Sequence, residues 1–269
     1  MKTIEAILAT NKKQKDFYNN TSKQNFSTKV WAKFRNGLLN KIRKNSGIED
    51  KAYFLHKKWF GNLSNKKVLD LGCYAGNYWS LYFAENAKEY LGIDLSDVAI
   101  AKLNERLKPF SNAKAEAIDF LSANFEEKEY DLIYAYGVLH HFENSNILID
   151  KLNEKLAVNG VIISYDPLQT SWPVRFIRIL YRPFQSDAAW EWPFTKKTFY
   201  QFQKTFSIKE RRGILGKSKW VVIVNFLPIS DKKKRQISEK WHNEDWVESS
   251  TSDRALFCCM HLTMLMQKK

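Results

Sequence analysis

A chain of 269 residues, 44% hydrophobic and 14% aromatic with a net charge of +14, can bury a full α/β core and is too apolar to be a disordered segment. The charge reads first as a lysine-rich solvated surface and second as an attraction for an anionic partner: a phosphate-bearing substrate, a membrane surface or nucleic acid. Cys73, Cys258 and Cys259, an odd count with one adjacent pair, exclude a disulfide framework and a CxxC metal site and point to a reducing, cytoplasmic setting. The first ten residues show no secretory pattern, and no apolar run reaches the length needed to span a bilayer.

Residues 1–60 are rich in lysine, asparagine and aromatics. Trp31, Phe34, Leu38, Leu39 and Ile42 recur at helical spacing, with Lys33, Arg35, Lys41 and Arg43 between them, which predicts two or three helices capping the core. Strand–helix alternation follows over 66–166. Strands are expected at 67–71, 90–94, 113–117, 130–135 and 160–165, and helices at 77–87, 96–108 and 145–157. Ser96-Asp97 is a helix N-terminus, Pro109 follows that helix, and Asn159-Gly160 is expected to end the helix before the fifth strand. Such alternation implies a parallel sheet with ligands at the carboxyl ends of its strands.

The first strand runs into VLDLGCYAG, residues 68–76. An apolar strand, a glycine-bracketed turn and a helix bring backbone N–H groups close to a ligand. The second strand ends LGIDLS, placing Asp94 about 20 residues beyond the glycines, where a carboxylate can grip a ribose. A dinucleotide fingerprint needs glycine two residues after Gly72, and Tyr74 stands there. The two strings together resemble the class I S-adenosylmethionine-dependent methyltransferases. Their loop is usually DxGxGxG, with Tyr74 here in place of the middle glycine. The fourth strand and its exit, YDLIYAYGVLHHF at 130–142, resemble the same family.

The resemblance implies a doubly wound, mostly parallel seven-stranded sheet of Rossmann-like methyltransferase type. An N-terminal helical cap (1–60) would precede the methyltransferase domain (61–269), with 167–205 as a substrate lid inserted after strand five. It implies S-adenosylmethionine as cofactor. Asp70 would order the glycine loop, Gly72 and Gly76 leave room for its methionine part, Asp94 bind the ribose hydroxyls, and Cys73, Tyr74 and Leu95 complete the cofactor-binding set. Asp119 would accept from the adenine amino group and Phe120 pack on the ring, with Tyr136 and Gly137 near the amino acid end. N-terminal helices close over the cofactor in similar enzymes, making Tyr18 a packing residue first and a ligand contact second.

His140, His141 and Asp166 are the candidate catalytic residues. A hydroxyl acceptor needs a base during attack on a methyl group, and histidine suits that near neutral pH. Asp166 would orient a histidine or hold a vicinal hydroxyl; the plainer alternative is a histidine packed in its loop and Asp166 capping the turn at Pro167. His56, His242 and His261 have no ligand spacing, so no metal site is expected. VLHHF stands where amide or adenine N-methylases carry an Asn/Asp-Pro-Pro-Tyr motif.

Beyond strand five, Arg175, Arg178 and Arg182 fall on one helical face, with Phe176, Ile177, Leu180 and Tyr181 on the other. A lid with its apolar side toward the pocket is the first reading, and a helix lying on an anionic membrane the second. Trp172, Trp190 and Trp192 offer surface for a sugar or ring. Phe206–Arg212 and Met260–Gln267 are expected as the last two strands, the latter antiparallel. The functional expectation is O-methylation of a small-molecule hydroxyl, on a sugar or glycoconjugate. The alternatives are methylation of a quinone or lipid by a peripheral membrane enzyme, and an RNA-binding protein of methyltransferase-like fold. The last is disfavoured because no RNA-binding motif accompanies the charge.

Overall fold

The computed structural model describes residues 4–19, 37, 48–184 and 188–269; the helical set Trp31–Ile42 lies outside the described residues. Helix α1 (Ile4–Asn19) and helix α2 (Ile48–Phe60) precede the sheet. The alternating core is β1 (Lys67–Leu71), α3 (Ser80–Asn86), β2 (Glu89–Asp94), α4 (Asp97–Leu107), β3 (Ala113–Ala117), β4 (Tyr130–Tyr136), α5 (Ser145–Lys155) and β5 (Leu156–Pro167). Then come α6 (Trp172–Tyr181), α7 (Lys196–Thr205), β6 (Phe206–Ile214), α8 (Val221–Val224), α9 (Asp231–Thr251), α10 (Asp253–Leu256) and β7 (His261–Lys268). The strand order is β3-β2-β1-β4-β5-β7-β6, with β7 antiparallel to both neighbours.

The inner strands β1, β2 and β4 are largely buried on both faces, so they read as apolar runs. Leu69, Leu91, Ile133 and Ile162 face one core layer with Leu148, Leu152, Phe199 and Phe202. Val68, Tyr90, Leu132 and Ile163 face the other, with Phe60, Phe83, Ile100 and Leu103. Burial of each such aliphatic chain contributes about 1.5–3 kcal/mol. The order reverses between β1 and β4, and this switch point opens a crevice at the strands' carboxyl ends.

Three expectations need correction. The third helix begins at Ser80, not at residue 77, because the Asn77 side chain is engaged in ordering the turn: its Oδ1 accepts from Trp79 N–H at 2.8 Å. Asn159-Gly160 does not end a helix but lies inside β5, with Asn159 left-handed (φ 63°) where the β4–β5 register slips. On α6 the apolar side does not face the cavity: Trp172, Phe176 and Leu180 are 76%, 55% and 59% exposed.

Candidate active site

A cavity of about 400 Å³ sits over the switch point, walled by Leu71, Gly72, Tyr74, Ile93, Asp94, Leu95, Ile118, Asp119, Phe120, Gly137, Val138, His141 and Phe142, with Asn11, Gln14 and Tyr18 from α1. Its floor is the turn after β1. Gly72 N–H and Cys73 N–H both donate to the Ile93 carbonyl, at 2.8 and 3.1 Å, tying the turn to β2. Gly72 has φ 73°, and a Cβ there would lie 2.5 Å from Val138 Cγ2; only glycine fits. Tyr74 also adopts a left-handed conformation, φ 50°, so the backbone keeps a glycine-like turn despite the side chain.

Asp70 stands under this turn. It is fully buried and accepts from Asn77 Nδ2 (2.7 Å), Ser80 Oγ (2.7 Å) and Tyr90 Oη (3.0 Å). Burial raises its pKa to about 6, against the pull of those three donors. Asp94 accepts from Tyr74 N–H at 3.1 Å and from Ser96 N–H at 2.9 Å. Burial raises its pKa, and these N–H groups pull it back. Its oxygens border the cavity, where a carboxylate can accept from paired hydroxyls.

Helix α1 closes the site. Asn19 Nδ2 donates to Asp97 Oδ1 (2.7 Å), Ser96 Oγ donates to Asn19 Oδ1 (2.6 Å), and Lys15 pairs with Asp97 at 3.0 Å. Asn11 Nδ2 donates to Asp119 Oδ2 at 2.8 Å, while Asp119 Oδ1 accepts from Leu121 N–H. Asn11 and Gln14 are buried amides on the cavity wall, and sequence reasoning missed both. The signal was there: Ile7, Asn11, Gln14 and Tyr18 share one helical face, so two polar residues fall among core positions.

The two histidines divide. His141 lines the cavity, and its Nδ1 lies 2.8 Å from the Trp190 carbonyl. A carbonyl only accepts, so Nδ1 carries the proton and Nε2 is the basic nitrogen. The Tyr18 ring meets the His141 ring edge-on at 6.3 Å. His140 is buried, ring against ring with His141 at 4.2 Å. Its Nδ1 and its backbone N–H both reach Asp166 Oδ1, at 2.9 and 3.1 Å. The second oxygen, Asp166 Oδ2, is buried without a hydrogen-bond partner among the described residues.

Of the expected site residues, Gly72, Tyr74, Asp94, Leu95, Asp119, Phe120, Gly137 and His141 share the cavity. Asp70, Cys73, Gly76, Tyr136, His140 and Asp166 are not on its wall. Cys73 is buried, with Sγ packed toward Gly92, and Tyr136 stacks between Tyr53 and Tyr165, ring centroids 5.9 and 4.7 Å away. Among the described residues no group of three or more His, Cys, Asp or Glu could hold a metal ion.

The pattern of a family described as a methyltransferase domain matches residues 36–212, well over half of the chain. The chain belongs to the class I S-adenosylmethionine-dependent methyltransferases. This methyltransferase is 28% identical over 176 residues to the carboxy-S-adenosyl-L-methionine synthase of Helicobacter pylori (strain G27), a match covering 61% of this chain and 72% of the relative. It is 30% identical over 105 residues to the tRNA U34 carboxymethyltransferase of Shewanella halifaxensis, covering 38% of this chain and 31% of that one. Its fold matches the N-methyltransferase NodS of Bradyrhizobium japonicum WM9, solved with S-adenosyl-L-homocysteine. The TM-score is 0.52 at 16% identity, covering 82% of this chain and 86% of that one.

S-adenosylmethionine is the cofactor, and the cavity fits it. Gly137 borders the space with φ 70°, and a Cβ there would meet no protein atom, so the backbone can lie close against a ligand. The acceptor carboxylates of Asp94 and Asp119 suit ribose hydroxyls and an exocyclic amine, and Phe120, Ile118 and Phe142 offer apolar faces between them. No described helix is long and apolar enough to cross a membrane.

Proposed function

We propose that this methyltransferase transfers the methyl group to a hydroxyl of a small molecule, a sugar or glycoconjugate being the first class to test, with His141 as general base. The observation that carries the reading is the His141 ring on the cavity wall, its Nδ1–H directed to the Trp190 carbonyl. That bond presents Nε2 as the proton acceptor. The bound cofactor would supply an electrophilic methyl group on sulfur. Asp94 would hold the ribose, and Asp119, steadied by Asn11, the adenine amine. His140 and Asp166 act as positioning residues: the buried bonds between them fix the loop that carries His141. Closure by α1 restricts water, so the acceptor hydroxyl meets an oriented base in a dry site.

The test is turnover with methyl-labelled cofactor and a pool of small-molecule hydroxyl acceptors. A labelled methyl ether is expected, and His141→Gln should lower its rate by about 10²–10⁴-fold with S-adenosylhomocysteine affinity unchanged. An N- or C-methylated product, or full activity in the variant, would overturn the assignment. The similarity to carboxy-S-adenosyl-L-methionine synthase supports a second reading, in which the cofactor itself is the molecule modified. Mass analysis separates the two, since the cofactor would then emerge carboxylated and no acceptor would carry a methyl group.

A further inference from the structure

The basic side of helix α6 lines a second cavity, with Arg178 half-buried and Arg175 and Arg182 exposed at its rim. This cavity, of about 160 Å³, is shared with Gln169 and Glu191. Among the described residues, three guanidinium groups share this cavity with one carboxylate. Among the described residues the side chains of Arg175 and Arg178 make no hydrogen bond or ion pair and Arg178 Nε is buried without a partner, and Arg182 Nη2 donates to the Ala188 carbonyl, at 3.3 Å. The half-buried Arg178, whose Nε is shielded from water, favours an anion beside it. One segment of chain links this cavity to the active-site histidines. Glu191 lies between Trp190, whose carbonyl holds His141, and Trp192, whose N–H donates to the His140 carbonyl at 2.7 Å.

We propose that this cavity is the anion subsite of the acceptor and takes a phosphate group. Guanidinium forks match its oxygens in pairs, and three cations suit a doubly charged tetrahedral group better than a singly charged planar one. Bound there, the phosphate would sit on one side of the 190–192 segment while the rest of the acceptor reaches His141 on the other. The same chemistry is found on soluble phosphorylated metabolites and on lipid headgroups. The exposed Trp172, Phe176, Ile177 and Leu180 on the outer side of α6 would contact acyl chains in the second case.

The inference rests on His141 facing the acceptor, and its test is independent of that reading. Inorganic phosphate is titrated against the full chain by phosphorus NMR, and the protein is sedimented with phosphatidylglycerol–phosphatidylcholine vesicles. Calorimetry with S-adenosylhomocysteine runs in parallel. The double variant Arg175→Gln/Arg178→Gln should weaken phosphate binding roughly tenfold or more and leave S-adenosylhomocysteine affinity unchanged. Arg178→Lys, which keeps the charge without the fork, should fall between. Vesicle binding that is lost in the double variant and competed by phosphate assigns the group to a lipid; phosphate binding without vesicle binding assigns it to a soluble acceptor. Absent phosphate binding, or binding that survives the double substitution, overturns the subsite. Failure of S-adenosylhomocysteine to bind would instead count against the cofactor site.

Discussion

The turn after β1 and the segment after β5 both border the active edge, yet they are built in opposite ways. The first is fixed by backbone: Gly72 packs against Val138, two N–H groups share the Ile93 carbonyl, and buried Asp70 collects three donors. The second is pinned at its two ends, where Leu168 and Phe194 are buried and bonded through backbone, and is more open between them. Val174 is buried, the Trp190 carbonyl and Trp192 N–H hold the two histidines, and much of the apolar side of α6 is bare. Rigid backbone suits a site for a cofactor shared across a family, and the proposed acceptor site is carried instead by side chains on the segment after β5.

The comparison breaks hardest at Gly72. Gly72→Ala places a methyl group against Val138 on left-handed backbone, which should cost about 2 kcal/mol or more. Urea denaturation would show it, together with loss of S-adenosylhomocysteine binding. Substitutions on the outer face of α6, such as Phe176→Ser, should leave the urea midpoint nearly unchanged. Equal sensitivity of the two would erase the contrast.

Next in size is the pH response of the buried frame. Burial lowers the His56 pKa to about 3 and the His242 pKa to about 4, from 6.5. The unfolded chain then binds more protons in this range, so this contribution is complete above pH 6.5 and is lost on acidification. Asp70 acts the other way: raised from 3.8 to about 6, it makes the fold less stable as pH rises through that window. Two histidines oppose one carboxyl, so the urea midpoint should fall from pH 7 to pH 5. His242→Leu should flatten the fall, since both ring nitrogens of His242 are buried without partners. An unaltered slope would show that His242 is not buried neutral.

The smallest effect sharpens the picture of the turn. Tyr74 is 48% exposed at φ 50°, so Tyr74→Gly should relieve backbone strain and stabilise by up to about 1 kcal/mol. It also removes part of the cavity wall, so S-adenosylhomocysteine affinity should drop modestly. Stability and affinity both unchanged would mean the ring neither strains the turn nor meets the ligand.

What was legible in the sequence follows the same division. The strand–helix alternation, the glycine turn and the carboxylate at Asp94 could be read because they obey local rules of period, φ sign and carboxylate placement, whereas Asp119 and the His140–His141 pair were singled out through the family resemblance. Asn11 and Gln14 were hidden because a buried amide looks like a surface residue until its helix is docked. The exposure of the apolar side of α6 was hidden because a helix with one apolar and one basic side has the same pattern whichever side meets solvent. Asn159-Gly160 misled because a helix stop and a strand irregularity both use left-handed backbone.

The central claim is that the cavity over Gly72 holds the cofactor through Asp94. Calorimetry of S-adenosylhomocysteine on the full chain and on Asp94→Ala tests it most directly. The account predicts micromolar binding to the parent protein, a free energy of about −8 kcal/mol, and a loss of roughly a hundredfold in the variant, in line with removal of charge-assisted hydrogen bonds. Affinity retained by Asp94→Ala would contradict it.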